Sequence, residues 1–192
     1  SSYALILEPK TQFYNLYRKG RLKLPNEDLG EEMYQHLKKK LAGSILNQYE
    51  ISNFSKEGHE SLHNKVYWKN EEYYGFGAGA HGYINGVRYG NINPVNQYIK
   101  KLMNGKMPVL QSTEVSLKEQ MEEEMFLGLR MTKGVSKTKF QNKFDQSIED
   151  VFGQHVKELI EQELLLDEKD YLRLSNRGQI IGNEVFEKFL LS

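Results

Sequence analysis

Apolar and polar positions follow two different rhythms along this chain. Residues 2–8, SYALILE, form a short apolar run that predicts a buried strand ending at Pro9, and Thr11 then opens a helical turn through QFYNLYRK. Met33, Leu37 and Leu41 recur at four-residue spacing on a second predicted helix. Asn26 caps it, acidic residues fill its first turn, Lys38, Lys39 and Lys40 fill its last, and Gly43 ends it, the polarity that the helix dipole favours. QYEISNF then alternates as a strand does. Strand, helix, strand over residues 2–54 predicts parallel strands with a crossover helix, hence an α/β sheet or barrel.

The glycine-rich GFGAGAHG comes next, and its residues 77–82 spell the dinucleotide fingerprint G-x-G-x-x-G. That fingerprint needs a helix to start at its third glycine so that free N–H groups meet a pyrophosphate. Here Asn85-Gly86 follows between apolar residues, a type I′ hairpin signal, so the nucleotide reading is rejected. Glycines in such a strand allow close approach of backbone or ligand, and His81 either faces what approaches or bonds a neighbouring carbonyl. Asn93 and Pro94 open a helix that Gly105 closes, and KMPVLQSTEVS reads as a connector.

Beyond it, Leu117, Met121, Met125 and Leu129 predict an amphipathic helix with an acidic outer face. Helices follow over 136–144, with Phe140 and Phe144, and over 147–163, with Val151, Val156, Leu159 and Ile160. DEKD breaks LLL from YLRL as in a hairpin, and a last helix carries Ile180, Ile181, Val185, Phe186 and Phe189. Helix, helix, hairpin, helix is the order of a winged-helix module. The candidate recognition helix carries Glu149, Asp150, Glu158, Glu161 and Glu163 against Lys157, so phosphates would be repelled and no nucleic-acid partner is expected.

Composition sharpens this picture. The 192 residues suffice for one ordinary domain or two small ones, with 39% hydrophobic residues and zero formal net charge. Residues 1–113 carry 15 Lys/Arg against 10 Asp/Glu, and residues 114–192 carry 11 against 16, which places a boundary near 112–116. The absence of cysteine leaves no disulfide partner and no thiolate for a metal or cluster. The apolar runs are too short for a bilayer, which makes a cytoplasmic protein the default. A start in mid-pattern, without Met, is expected of a piece of something longer.

The densest candidate chemistry is ESLHNKVYW, residues 60–68, where His63, Asn64, Tyr67 and the sole tryptophan, Trp68, fall within six positions. Histidine ligates metals and moves protons near neutral pH, and the aromatic side chains supply flat apolar area with a polar tip. An aromatic-rich loop packed under a domain edge is the plainer reading of the same residues.

YEISNFSKEGHESLHNKVYW followed by GFGAGAHGYINGVRY, with SSYALILEPKT upstream, resembles the C-terminal half of the HemW-type heme chaperones. These are radical S-adenosylmethionine proteins similar to oxygen-independent coproporphyrinogen III oxidase, and the H-N-x-x-Y-W signature at 63–68 separates the chaperones from the oxidases. The resemblance implies heme binding by His63, Asn64, Tyr67 and Trp68, with His63 as the iron ligand. It also implies an α/β fold in two parts: residues 1–112 as the C-terminal part of an incomplete (β/α) barrel, and 113–192 as a mainly helical, winged-helix-like C-terminal domain. Tyr3, Ala4, Gly77, Gly79 and His81 then fall near the S-adenosylmethionine region. The [4Fe–4S] cluster and its cysteines belong to the missing half, so this chain alone is expected to be inactive. The implied partners are heme or porphyrin and a heme-receiving apoprotein, and the cut barrel edge at SYALILE or GFGAGA is expected to drive self-association. An arginine often precedes the histidine of the signature in that family; Leu62 stands there in this chain. A coproporphyrinogen dehydrogenase and a protein-binding module without redox role are the alternative readings.

Overall fold

The computed structural model describes residues 1–191, and the chain divides into two compact units, Ser1–Glu60 and the residues from Ser61 onward. In the first, Thr11 and Asn26 accept the Tyr14 and Leu29 amides through their side chains. They thereby start α1 (Gln12–Arg18) and α2 (Glu27–Ala42), the latter ending at Gly43 as expected.

QYEISNF is not one strand. It folds into β1 (Asn47–Glu50) and β2 (Asn53–Ser55), paired antiparallel around a turn. The buried Glu50 closes that turn: its Oε1 accepts from the Ser52 amide at 3.0 Å and from Asn53 Nδ2 at 2.5 Å. Tyr34 of α2 braces it from the side, donating to the Ile51 carbonyl at 3.1 Å. The expected parallel pairing therefore fails, and every ladder between the strands of the described residues is antiparallel. The expected strand SYALILE fails as well. It joins no ladder and is tied to the turn before β2 by the Ser2 amide on the Ser52 carbonyl at 2.8 Å, with Tyr3, Leu5 and Ile6 exposed. An apolar run becomes a strand only when a neighbouring backbone takes its N–H and C=O groups.

The second unit opens with α3 (Leu62–Trp68) and a three-stranded antiparallel sheet, β3 (His81–Ile84), β4 (Val87–Asn91) and β5 (Val109–Glu114), in that order. Asn85 and Gly86 join β3 to β4 with φ of 50° and 73°, the left-handed pair that a type I′ turn requires. Between β4 and β5 lies α4 (Val95–Met103), which starts after Pro94, one residue later than expected. The predicted connector contains β5. Beyond Val109 this strand is exposed, so hydrogen bonds to β4 make it a strand rather than burial, and it leaves the sheet an open edge.

The remainder comprises α5 (Leu117–Gly128), β6 (Val135–Ser136), α6 (Lys137–Phe144), α7 (Ile148–Glu161), the hairpin β7 (Leu165–Glu168) and β8 (Tyr171–Leu174), α8 (Asn176–Ile180) and α9 (Gly182–Glu187). Ser116 and Ser147 form capping boxes with Glu119 and Asp150 at the starts of α5 and α7. The core collects Met121, Met125, Leu129, Phe140, Phe152, Val156, Leu159, Leu172, Val185 and Phe189. The predicted last helix is two, broken at Ile181–Gly182. The acidic outer face expected on α5 is partnered. Glu122 accepts the Leu191 amide at 2.7 Å, Glu123 pairs with Arg88, and Glu124 pairs with Lys143 at 2.7 Å. No helix among the described residues is long and apolar enough to cross a membrane.

Candidate functional site

The signature expected on a loop lies on a helix. Ser61 accepts the Asn64 amide through Oγ at 3.2 Å, which starts α3 and sets all four signature residues on one regular turn and a half. Residues four apart share a helix face, so the signature divides into two pairs, His63 with Tyr67 and Asn64 with Trp68, about 100° apart around the axis.

The first pair faces outward. His63 is exposed, its ring stands edge-on to Tyr67 at 4.9 Å, and the Tyr67 hydroxyl lies 3.1 Å from His63 Nε2. Tyr67 in turn meets Tyr73 edge-on at 4.7 Å. Tyr73 is fixed by a reciprocal backbone bridge to Tyr83, and Tyr83 lies beneath Arg88. Arg88 holds the helical part through a bidentate pair with Glu123, both contacts at 2.9 Å. Burial pushes the Tyr73 and Tyr83 hydroxyls above the ordinary tyrosine range, so both stay neutral. The hydrogen bonds that Arg88 donates to Glu123, ahead of the carboxylate's charge, hold the guanidinium above its ordinary value. The outward face is thus an imidazole backed by neutral phenol rings on a braced helix.

The second pair faces inward. Trp68 is half-buried against the loop that ends α5, with the Arg130 guanidinium 4.6 Å from its ring centroid and 5.8 Å from that of Phe186. The Trp68 Nε1 and Arg130 Nε atoms are shielded from solvent, and neither has a hydrogen-bond acceptor among the described residues. Arg130 was not expected from the sequence, since nothing near it in the chain marks it.

The glycine run is pinned to its own sheet. The Gly75 amide donates to the Tyr89 hydroxyl at 2.9 Å, the Gly77 amide to the Tyr98 hydroxyl at 3.2 Å, and the Gly79 amide to the Ile92 carbonyl at 3.0 Å. Asn91 Nδ2 donates to the Gly75 and Gly77 carbonyls, each at 3.0 Å. A side chain at Gly82 would strike the Tyr89 ring at 2.3 Å. Close backbone approach is therefore the use of these glycines. His81 is exposed, with its ring over Gly90. Tyr3 and Ala4 belong to the first unit, where the Tyr3 hydroxyl accepts from Asn53 Nδ2 at 2.9 Å. The chain has no cysteine, and the described residues contain no group of three or more acidic, histidine or cysteine side chains placed to hold a metal. It does not fit an iron–sulfur cluster of its own.

Comparison with known proteins shows what the chain is similar to. Residues 115–181 match the HemN C-terminal domain family. The heme chaperone HemW of Bacillus subtilis (strain 168) is 49% identical over 99% of this chain and 50% of its own length. That of Lactococcus lactis is 48% identical over 98% and 49%. A mitochondrial radical S-adenosyl methionine domain-containing protein 1 of Bos taurus is 34% identical over 93% and 43%. The chain spans about half the length of these curated relatives. The solved structure of coproporphyrinogen III oxidase (HemN) from Escherichia coli superposes with a TM-score of 0.66, covering 91% of this chain and 44% of that one. At 13% identity this is a likeness of mixed α/β fold alone.

Proposed function

We propose that this chain, a relative of the HemW heme chaperones over 99% of its length with a HemN C-terminal domain at residues 115–181, forms the heme-binding part of a heme-trafficking protein. The observation that carries the reading is the exposed His63–Tyr67 pair on a braced helix. An imidazole on the surface is a ligand for heme iron, and the Tyr67 ring beside it offers a face for a flat porphyrin. Asn64 and Trp68, on the adjoining face, set the edge of the same site.

In this reading residues 1–112 complete the last part of an incomplete barrel, and 113–192 form a winged-helix-like domain behind the heme site. Tyr3, Ala4, Gly77, Gly79 and His81 would approach S-adenosylmethionine in the longer protein, whose other half supplies the [4Fe–4S] cluster and any radical chemistry. The amides of Gly77 and Gly79 already have partners here, so contact there would run through His81 and the loop surface. The acceptor is an apoprotein that takes heme from α3. The dehydrogenase reading has no observation of its own, because likeness to the oxidase concerns fold.

Titration with hemin tests the proposal. A saturable, one-to-one Soret band that iron-free protoporphyrin does not reproduce is expected. A featureless, non-saturating absorbance would remove iron ligation, and with it the heme-binding role.

A further inference from the structure

Helix α4 carries its apolar side chains where a packed helix does not. Val95, Ile99, Leu102 and Met103 fall within an arc of about 100° around its axis, the kind of stripe by which a helix packs on a core. On α5 and α7 such stripes are buried, through Met121 and Met125 on one and Val156 and Leu159 on the other. None of the residues of α4 is buried, and the four stripe residues are between 47% and 84% exposed. Tyr98, at the margin of the stripe, ties the helix to the glycine-rich run by accepting the Gly77 amide at 3.2 Å. That run adds Tyr74 and Phe76, both exposed, with ring centroids 5.9 Å apart. Met107, just past the helix, is exposed as well. A contiguous apolar face held outward in this way marks a surface that meets a partner.

The charges around the stripe identify that partner. Residues 73–113 contain no Asp or Glu and hold Arg88, Lys100, Lys101 and Lys106. Arg88 is taken by Glu123, whereas the three lysines form no ion pair among the described residues. Around the axis Lys100 lies about 60° beyond Met103, and Lys101 about 100° beyond Leu102 on the other side. The stripe is thus bordered by cations on both flanks, and the zero net charge of the chain conceals a local positive field. Protein interfaces favour aromatic and arginine anchors and are depleted in lysine, whereas lysine stems beside an apolar helix face carry their ammonium groups up to anionic headgroups. We infer that α4, with Tyr74, Phe76 and Met107 beside it, is a docking surface for an anionic lipid bilayer. The stripe enters the headgroup boundary, and the three lysines meet lipid phosphates. α4 is far shorter than the roughly 20 residues needed to cross a bilayer, so it lies along the surface. The inference is independent of heme binding.

Cosedimentation of the chain with vesicles tests it. Vesicles of equal parts phosphatidylglycerol and phosphatidylcholine are expected to bind the chain at least about tenfold more tightly than vesicles of phosphatidylcholine alone, with the difference shrinking as salt is raised. The triple variant Lys100→Gln, Lys101→Gln, Lys106→Gln should remove that preference. The double variant Ile99→Asn, Met103→Asn should weaken binding to the anionic vesicles at least about tenfold. All five positions lie outside the core, so circular dichroism should show both variants folded. Equal binding to the two vesicle types by the unaltered chain, or binding to neither, would overturn the inference, and that comparison needs no variant. Undiminished binding by the folded double variant would place the contact elsewhere and overturn it too. Self-association that the double variant abolishes, without vesicle binding, would assign the stripe to a second copy. Loss of vesicle binding in a protein of the relatives' full length would assign it to contacts within that protein, and either result overturns bilayer docking.

Discussion

Tyr67→Phe is the most informative single change at the outward face, because it deletes one hydroxyl and keeps the ring. In the structure that hydroxyl lies 3.1 Å from His63 Nε2, between two side chains at the surface. If iron binds at Nε2, the ring nitrogen farthest from the backbone, the contact must break before ligation. An exposed, neutral hydrogen bond contributes about 0.5–1 kcal/mol net, or roughly a two- to fivefold change in affinity. The phenylalanine retains the edge-on contacts with His63 and Tyr73, at 4.9 and 4.7 Å, that hold the helix face. Hemin titration followed at the Soret band should therefore show Tyr67→Phe binding about two- to fivefold more tightly than the unaltered protein. A tenfold loss would refute this reasoning. It would mean that Tyr67 orients the imidazole from Nε2 while Nδ1 meets the iron, as partners of metal-bound histidines often do.

Three further outcomes test the frame around the site. Gly82→Ala places a methyl 2.3 Å from the Tyr89 ring, which is held by the Gly75 amide, so a loss of about 2–3 kcal/mol is expected in denaturant unfolding, and a change within 0.5 kcal/mol would show the ring free to move. Hydrogen bonds from the Thr138 and Ser136 hydroxyls and the Thr138 amide hold the Asp170 carboxyl below the usual range. Its stabilising contribution is therefore present above about pH 4, the unfolded value, and is lost as pH falls through the lower folded value. The unfolding midpoint should drop on acidification below about pH 4 and should drop less in Asp170→Asn, whereas identical pH profiles would contradict the role given to Asp170. Anaerobic reconstitution with iron and sulfide should produce no charge-transfer absorbance in a chain without cysteine, and 5′-deoxyadenosine formation above a protein-free blank would contradict that expectation.

Helices were the most legible part of the fold, since caps such as Asn26, Ser116 and Ser147 act locally and core residues repeat at helical spacing. Asn85-Gly86 was legible for the same reason, being a turn specified by two residues. Strands depend on partners elsewhere. SYALILE looked like a strand and lacks a ladder, whereas LQSTE looked like a connector and is held as a strand by β4. QYEISNF was misread because Glu50 folds the alternating run back on itself. At the site, the four signature residues were evident as a cluster. Their division into two faces was not, although Ser61 as cap and the spacings 63/67 and 64/68 are the signal of a short helix. Arg130 lies 62 positions beyond Trp68 and meets it only through the tertiary fold.

The central claim, that α3 presents His63 to heme iron, is tested most directly by hemin titration of His63→Ala. His63 is exposed and outside the core, so circular dichroism should show the fold retained. The account predicts that the Soret band of the bound complex then weakens strongly and shifts toward that of free hemin. A band of unchanged position, intensity and affinity in the folded variant would contradict it, and would leave His63 as a surface histidine held by Tyr67.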